Sequence, residues 1–275
     1  MSVSGVQRIP FVKATACGND FLIIDSAQVS ADHAEFTRRI CDRHFGVGAD
    51  GVEWVSPASN PEADVQIHLI NADGSAAEIS GNGTRCVAAH WFADRAFRTQ
   101  QKDRVTIETG AGIRVCVLTQ GGDVEFEFET AMGQASVGDL FALHLAGCDV
   151  DGIPVSTGNP HFVTFVQEFP QHWQAQGAEI GAHPHFKNGV NVEFVKVIDS
   201  GAIDIRIYER GAGETRSSGT GSCAAAVAAI ASGRAKSPVR VHAPGGTQTV
   251  RWDDGEISLR GPASLICSGE YLWRD

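Results

Sequence analysis

The sequence predicts an α+β protein built from two similar halves. Residues 80–89 and 218–226 each run from a Ser-Gly-x-Gly turn directly into a small, apolar, helix-forming segment. The two stretches lie about half the chain apart, and the same order of strand, turn, helix and strand meander surrounds each of them. A repeated order of elements indicates an internal duplication. We therefore expect two domains of similar topology.

In the first half, hydrophobic patterning predicts strands and one amphipathic helix before the first glycine turn. Residues 10–13 and 21–25 have strand character and flank a turn at 16–20. Residues 32–44 have helical spacing, with Phe36, Ile40 and Cys41 on one face and an N-cap at Ser30 or Asp32. A strand over 65–70 ends at the turn signal 71–74. The Ser80 turn then opens a helix to about Phe97, and a meander follows over 105–108, 113–118 and 124–129.

The second half repeats this order. Residues 161–166 and 190–197 have strand character, and 203–209 alternate strictly between apolar and polar. The Ser218 turn opens an alanine-rich helix to about Ala231, followed by a meander over 239–243, 248–252 and 257–259. We expect one domain over 1–122, to which a last strand at about 264–275 can return, and a second over 123–263.

Composition excludes several classes of protein. The chain has 275 residues, 43% hydrophobic, and a formal net charge of −11, which would be repelled by nucleic acid and by anionic membranes. Its first residues lack a signal peptide pattern, so we expect a cytoplasmic protein. Seven cysteines without a Cys-x-x-Cys pair indicate reduced thiols and no zinc site. We interpret His183-Pro184-His185 as a polar loop and expect no metal.

The glycine turns indicate an anion site. A turn that opens a helix presents unpaired N–H groups and the positive end of the helix dipole. Neither turn has the lysine of a Walker loop or the Rossmann spacing, so a small carboxylate fits better than a polyphosphate. One turn per half suggests two domains that hold one small anionic ligand. The alternative is a tight turn that only caps a buried helix.

Polar residues beside the predicted turns are candidates for ligand contacts. An asparagine amide both donates and accepts, so it suits the ammonium and carboxylate groups of an amino acid, although turn formation is the alternative. These asparagines are Asn19, Asn71, Asn82, Asn159 and Asn191. Arg210 could bind a distal carboxylate and Glu209 an amine or a base, unless they form a surface ion pair. His161 is a candidate active-site histidine or an ordinary loop histidine.

These residues belong to a recognisable set of motifs. In order, they are Gly18-Asn19-Asp20-Phe21, Asn71-Ala72-Asp73-Gly74-Ser75, Gly81-Asn82-Gly83-Thr84-Arg85-Cys86, Gly158-Asn159-Pro160-His161, Glu209-Arg210-Gly211-Ala212-Gly213-Glu214-Thr215 and Gly219-Thr220-Gly221. With them the chain closely resembles the diaminopimelate epimerase family along essentially its whole length. The resemblance implies two pseudo-symmetric domains, each a β-barrel or roll around a central helix, with the active site in the cleft between them.

The resemblance also implies an activity. Members of the family are isomerases that interconvert LL- and meso-diaminopimelate for lysine and peptidoglycan precursor biosynthesis, without pyridoxal phosphate or any other cofactor. One thiolate removes the α-proton and a thiol on the opposite face returns one, while the two helix N-termini hold the α-carboxylate. The partner implied is a small amino-acid substrate, and a homodimer is compatible with the resemblance.

The resemblance assigns roles residue by residue. Substrate contacts fall on Asn19, Asn71, Gly81, Asn82, Asn159, Asn191, Glu209, Arg210, Gly219 and Thr220. His161 and Glu209 take supporting catalytic positions. The two catalytic cysteine positions, immediately before the Gly-x-Gly turns, are Ser80 and Ser218 in this sequence.

This departure leaves three interpretations open. A serine hydroxyl is a far weaker acid than a thiol, and Cys86 and Cys223 lie further along the helices, where their neighbours indicate core packing. The chain is a slow epimerase, or a related isomerase, racemase or dehydratase that uses Glu209, His161 or one serine, or a non-catalytic amino-acid-binding protein. Serines introduced to trap a substrate complex belong to the last interpretation.

Overall fold

The structure is a computed structural model that describes residues 5–93 and 102–274. The chain divides into two compact units, Met1–Thr130 with Pro262–Asp275, and Ala131–Gly261. Because the helix predicted to reach Phe97 is described only to Ala93, its last predicted residues lie outside the described part of the chain.

The described residues of the first unit form strands and two α-helices. Its elements are β1 Val6–Ala16, β2 Asn19–Asp25, α1 His33–Ile40, β3 Gly51–Ser56, β4 Val65–Asn71, β5 Ala76–Ala77, α2 Gly81–Ala93, β6 Arg104–Thr109, β7 Gly112–Gly121, β8 Glu125–Gln134 and the last part of β18, Glu256–Arg274. Helix α1 is shorter than the predicted 32–44 because it ends at Ile40 with Cys41 as its C-cap. Its N-cap is Asp32, whose carboxylate accepts a hydrogen bond from Ala34 N.

The strands of this unit form a closed ring. β1 pairs antiparallel with β2, β2 parallel with β3, β3 antiparallel with β4, β4 parallel with β6, and β6 antiparallel with β7. β7 pairs with β8, and β18 pairs with both β8 and β1. A closed ring leaves no free sheet edge and encloses an interior.

Both faces of the sheet are buried where the site is built. Phe21 and Ile23 of β2 pack into the apolar cluster that contains α2, whereas Leu22 and Ile24 pack into the cluster that contains Phe36 of α1. Strand side chains point alternately to the two faces, which explains why residues 21–24 in the middle of β2 are all apolar. Most of α2 is buried, including its polar residues Asn82, Thr84 and Arg85.

The second unit has an equivalent set of elements. They are β9 Ser136–Val137, β10 Phe141–His144, β11 Asp149–Ser156, β12 Pro160–Phe165, α3 Trp173–Gly181, β13 Asn191–Asp199, β14 Ala202–Glu209, β15 Gly213–Thr215, α4 Gly219–Ala231, β16 Val239–Ala243, β17 Gly246–Asp253 and the first residues of β18.

The duplication is visible in the strand connections. β2 and β3 are parallel neighbours joined through α1, as β12 and β13 are through α3. β4 and β6 are parallel and joined through α2, as β14 and β16 are through α4. Residues 223–229 of α4 are fully buried in the apolar cluster of the second unit. The predicted α+β fold, with strands around a central helix in each half, is confirmed.

Candidate active site

Ser80 is the N-cap of α2. Gly83 N donates a hydrogen bond to Ser80 Oγ over 3.0 Å, and Thr84 N donates to the Ser80 carbonyl over 2.8 Å. This satisfies two of the backbone groups at the start of the helix. The other N–H groups of the first turn have no intrahelical acceptor and mark an anion site.

Asn19 and Asn82 lie together at this helix N-terminus. Asn82 Nδ2 donates to Asn19 Oδ1 over 3.4 Å, and Asn82 Oδ1 accepts a hydrogen bond from the buried Arg85 guanidinium. Asn19 begins β2 directly after a turn in which Cys17 and Gly18 both have positive φ, as a tight hairpin turn requires. The structure therefore brings together two asparagines that are 63 positions apart in the chain.

A charged network that the sequence reasoning missed holds Asn19. Its amide nitrogen donates to the Asp50 carboxylate, and Arg43 bonds both Asp50, over 2.8 Å, and Asp20, over 2.7 and 3.2 Å. Lys13 contacts Asp20 over 2.9 Å. Burial alone would raise the pKa of Asp20, but hydrogen bonds from Arg43 and Lys13 outweigh it and keep the pKa below its ordinary value.

Asn71 follows a different pattern. It ends β4 at a turn in which Gly74 has a φ of 86°, and its Nδ2 donates to Ser75 Oγ over 3.0 Å. The side-chain amide of Asn71 thus bonds a residue of its own turn.

Beneath the Ser80 turn lies a buried carboxyl, that of Glu53 on β3. The side chain is fully buried, and neither carboxyl oxygen has a hydrogen-bond partner among the described residues. A side chain on Gly83 would overlap Glu53 Oε1 and would lie 3.3 Å from Ser80 Cβ. Burial raises the pKa of Glu53 to about 8.

Ser218 caps α4 as Ser80 caps α2. Gly221 N donates to Ser218 Oγ over 3.2 Å, and Ser218 has the extended backbone typical of an N-cap, with φ −139° and ψ 131°. Thr220 Oγ1 lies 3.5 Å from Ser218 Oγ and 3.5 Å from Asn159 Nδ2. Gly219, Thr220 and Asn159 thus lie together at one helix N-terminus.

His161 is a buried histidine with a partner at each ring nitrogen. Nδ1 lies 2.7 Å from Glu193 Oε1, and Nε2 lies 2.9 Å from Asn159 Oδ1. An amide oxygen only accepts, so Nε2 carries a hydrogen, and Nδ1 and Glu193 share a second one. Burial raises the pKa of Glu193, and the charge of Glu209 adds to this, whereas His161 opposes it. The arrangement can hold or release one proton.

The end of β14 places the remaining predicted residues. Asn191 accepts a hydrogen bond from Arg210 N over 2.9 Å and donates to the Pro160 carbonyl over 3.1 Å, so both ends of its amide join neighbouring segments. Thr215 Oγ1 donates to Glu209 Oε1 over 3.3 Å. The exposed Arg210 guanidinium donates to the Asn188 carbonyl over 3.0 Å, and among the described residues it forms no ion pair with Glu209.

The strand register relates the two units position by position. Phe21 of β2 pairs with Gly51 of β3, which lies two residues before Glu53. In the same way, His161 of β12 pairs with Asn191 of β13, which lies two residues before Glu193. A side chain on Gly221 would lie 2.8 Å from Glu193 Oε1, as one on Gly83 would meet Glu53. Each unit therefore holds a carboxyl beneath its serine turn, but Phe21 takes the place that His161 has in the second unit.

Glu53 and Glu193 are functional candidates that the sequence reasoning missed. The available signal was a single charge in an apolar strand, in Val-Glu-Trp-Val and in Val-Glu-Phe-Val. Val52 and Trp54, on either side of Glu53, belong to the apolar cluster that contains Phe36 of α1. Val192 and Phe194, on either side of Glu193, belong to the cluster that contains Trp173 of α3. Because strand side chains alternate between the two faces of a sheet, both carboxyls point to the opposite, inner face.

The two helix cysteines are core residues. Cys86 and Cys223 are both fully buried in the apolar clusters around α2 and α4. Burial raises the pKa of the Cys86 thiol far above its ordinary value, so the thiolate is not available near neutral pH. The expectation that they pack in the core agrees with this burial.

Within 5–93 and 102–274, no group of three or more His, Cys, Asp or Glu side chains is placed to hold a metal ion. Over the same ranges, none of the helices is long and apolar enough to span a membrane.

This duplicated architecture is that of amino-acid epimerases and related isomerases. It is similar to the structure of a hydroxyproline epimerase from Agrobacterium vitis with bound trans-4-hydroxy-L-proline, with a TM-score of 0.71, 17% identity, and coverage of 99% of this chain and 93% of that one. It is also similar to methylitaconate-delta-isomerase, with a TM-score of 0.70, 16% identity, and coverage of 98% and 96%.

Sequence similarity identifies the family within that class. The diaminopimelate epimerase profile matches residues 11–137 and 153–266. The diaminopimelate epimerase of Pelotomaculum thermopropionicum is 36% identical over 282 residues, covering 96% of this chain and 99% of that protein. The chain belongs to the diaminopimelate epimerase family.

Proposed function

We propose that this protein is an amino-acid epimerase that interconverts LL- and meso-diaminopimelate without pyridoxal phosphate. The observation that supports this most strongly is the equivalent construction of the two units, each with a serine-capped, buried helix beside an asparagine. Family membership supports the substrate. The proposal includes a place in lysine biosynthesis, a cytoplasmic location and a homodimer.

The helix N-termini would bind the α-carboxylate of the substrate. Removal of the α-proton leaves an electron pair that spreads into this carboxylate. The backbone N–H groups of the turns at Gly81 and Gly219 would stabilise the added negative charge. This is the step that the α2 and α4 N-termini would favour, because the donors are already in place before the reaction.

Side chains of the two units would orient the rest of the substrate. Asn19, Asn82 and Asn159 suit the ammonium and carboxylate groups near the α-carbon. The exposed guanidinium of Arg210 has further N–H donors besides the one that bonds the Asn188 carbonyl, and it suits the distal carboxylate. Asn71 and Glu209 suit the distal ammonium.

Proton transfer is the weak point of this reaction. In the proposed reaction, the Ser80 half and the Ser218 half act on opposite faces of the α-carbon, one removing a proton and the other returning one. A serine hydroxyl titrates far from neutral pH, so it is a poor general base by itself. On the Ser218 side, the His161–Glu193 pair would exchange the proton that the serine cannot hold.

The test is deuterium exchange at the α-carbons of LL-diaminopimelate in D2O, with product stereochemistry, in the present chain and in Ser80→Cys, Ser218→Cys and the double variant. We expect slow epimerisation by the present chain and a gain of at least about 10²-fold in the double variant, because a helix-terminal thiol titrates near the working pH. Each single variant should gain much less, since inversion needs a donor and an acceptor.

Two results would contradict the proposal. If the double variant neither exchanges nor inverts diaminopimelate, the substrate is wrong. If the present chain is already fully active and the double variant gains nothing, other groups perform the proton transfer. Calorimetric binding of diaminopimelate to all four proteins separates loss of binding from loss of chemistry.

A second candidate is a related isomerase, racemase or dehydratase on another amino acid, or an amino-acid-binding protein. The paired serines favour it, because they remove the thiols while the other polar groups remain. Proline and trans-4-hydroxyproline, assayed beside diaminopimelate in the same exchange experiment, would identify this alternative by faster exchange.

A further inference from the structure

Glu53 is a buried ionisable side chain that contributes no hydrogen bond to the described part of the fold. It lies on the inner face of β3, where its register neighbours are Ile23 on β2 and Leu69 on β4, both part of the apolar cluster around α2. Neither oxygen has a hydrogen-bond partner among the described residues. Burying such a group lowers stability, and an apolar side chain would fill the same position. Its presence therefore needs another reason.

The position of Glu53 supplies that reason. Its carboxyl lies against Gly83, in the first turn of α2, and Gly83 is also the residue whose N–H is bonded to Ser80 Oγ. The absence of a side chain at Gly83 is what leaves room for the carboxyl. A fully buried, unpartnered carboxyl is thus directed at the helix N-terminus to which the proposed function assigns the substrate carboxylate.

The equivalent carboxyl in the second unit has a partner, and the difference is informative. Glu193 bonds His161, so that unit has a histidine–carboxylate pair beneath Ser218. In the first unit Phe21 stands where His161 stands in the second, and it cannot exchange a proton. Glu53 is therefore the carboxyl beneath the Ser80 turn that corresponds to Glu193 in the second unit.

We propose that Glu53 is the acid–base partner of Ser80, and that it exchanges the substrate proton through the Ser80 hydroxyl. This rests on the proposed function. On removal, the substrate Cα–H bond breaks, its proton passes to Ser80 Oγ, and the hydroxyl proton of Ser80 passes to the Glu53 carboxylate. The electron pair stays on the substrate and spreads into its carboxylate. The reverse sequence returns a proton.

The structure allows this transfer without breaking existing bonds. Ser80 Oγ accepts from Gly83 N and keeps that bond, while its own hydrogen is free to rotate. The Glu53 carboxyl is not bonded to Ser80 in this structure, but no hydrogen bond holds it elsewhere, so it can turn towards the hydroxyl. Glu53 acts through Ser80 and does not itself touch the substrate.

The burial of Glu53 places its pKa in a range that suits an acid–base group. The ionisable side chains on the elements packed against it are Asp20 and Asp25 on β2, His68 on β4, and Arg85, Cys86 and His90 on α2. Burial, not one of these groups, is what raises its pKa to about 8. Both protonation states are then available near neutral pH, as an acid–base group requires.

The experiment is α-carbon deuterium exchange of diaminopimelate between pH 6 and 9.5, with the present chain, Glu53→Gln, Ser80→Cys and the Ser80→Cys, Glu53→Gln double variant. We expect Glu53→Gln to lower the exchange rate by about 10²-fold and to remove the rise in rate near pH 8. In the Ser80→Cys background, Glu53→Gln should change the rate by less than about threefold, because the thiol accepts the proton itself.

The outcomes separate this proposal from the proposed function. Equal rates and pH profiles for the present chain and Glu53→Gln overturn the role of Glu53. Loss of exchange in both serine and cysteine backgrounds also overturns it, because it indicates a purely structural effect, which circular dichroism would reveal. Exchange in Ser80→Cys but none in the present chain overturns it too. Absence of exchange and of calorimetric binding in every protein overturns the proposed function, and this proposal with it.

Discussion

At the scale of single residues, the first unit differs from the second by one substitution that changes its chemistry. Phe21 stands where the second unit has His161, so Glu53 has no counterpart to the bond between His161 and Glu193. The paired carboxyl can share a proton with its histidine, whereas the unpaired one must be neutral or bear an uncompensated buried charge.

This has a consequence for stability as a function of pH. In the unfolded chain Glu53 ionises near its ordinary pKa of 4.5, and in the folded protein near about 8. Between these values the unfolded state has released a proton that the folded state retains, so the side chain destabilises the fold progressively as pH rises, and the loss is constant above about pH 8. The free energy of unfolding of Glu53→Gln, relative to that of the present chain, should therefore increase by up to about 1.4 kcal/mol per pH unit over this window.

Urea denaturation of the present chain and Glu53→Gln at pH 4 to 9 measures this difference. Glu78→Gln, at an exposed position of the same unit, is the matched control and should show a difference that hardly varies with pH. A difference between the present chain and Glu53→Gln that is the same at every pH would show that Glu53 titrates normally in the fold.

At the scale of elements, the first turn of each central helix contains a glycine that the carboxyl beneath it requires. A side chain on Gly83 would overlap Glu53 Oε1, and one on Gly221 would lie 2.8 Å from Glu193 Oε1. The backbone at these glycines is not in the left-handed region, so close approach of a carboxyl, and not an unusual turn, explains the residue type.

Gly83→Ala should therefore destabilise the protein by about 1–3 kcal/mol, the usual cost of overpacking. In a Glu53→Ala background the same change should be neutral or stabilising, because alanine is a better helix former than glycine by about 1 kcal/mol. Gly81→Ala, two residues earlier, is the control, since a side chain there would meet nothing within 4 Å. Thermal denaturation of the four combinations measures the coupling, and additive effects would mean that the carboxyl and Gly83 are not in contact.

The elements also show what sequence reasoning could and could not find. The Ser-Gly-x-Gly turns and the central helices follow from local patterns that repeat. Glu53, Glu193 and the network around Asp50 do not, because they depend on which strand residues face inward and on contacts between distant segments. Helix α1 was predicted too long because helical spacing continues beyond the point where the chain turns at Cys41.

At the scale of the whole molecule, the two units use the chain differently. The second unit is a continuous segment, Ala131–Gly261, whereas the first needs Pro262–Asp275 in addition to Met1–Thr130. Residues 264–274 pair with β1 along most of its length, and Leu265 N bonds the Val124 carbonyl beside β8. These last residues close the ring of the first unit.

Removal of residues 262–275 should open that ring and expose two sheet edges, which favour association between chains. We expect the truncated protein to aggregate or to lose the near-ultraviolet signal of its first unit. Leu272→Ser, at an exposed position of the same strand, should stay monodisperse relative to the full chain. Size-exclusion chromatography with light scattering makes the comparison, and a truncated protein that behaves as the full chain does would mean that the ring is not needed.

The closing strand also bears on folding during synthesis. The segment that forms the second unit leaves the ribosome before the strand that completes the first unit, so β1 is synthesised long before its partner β18. Until then β1 has only β2 as a neighbour, and the nascent first unit has an open side. Contacts between residues that are distant in the chain form slowly. The synthesis of this closing strand therefore sets the time for which the nascent first unit depends on protection from aggregation.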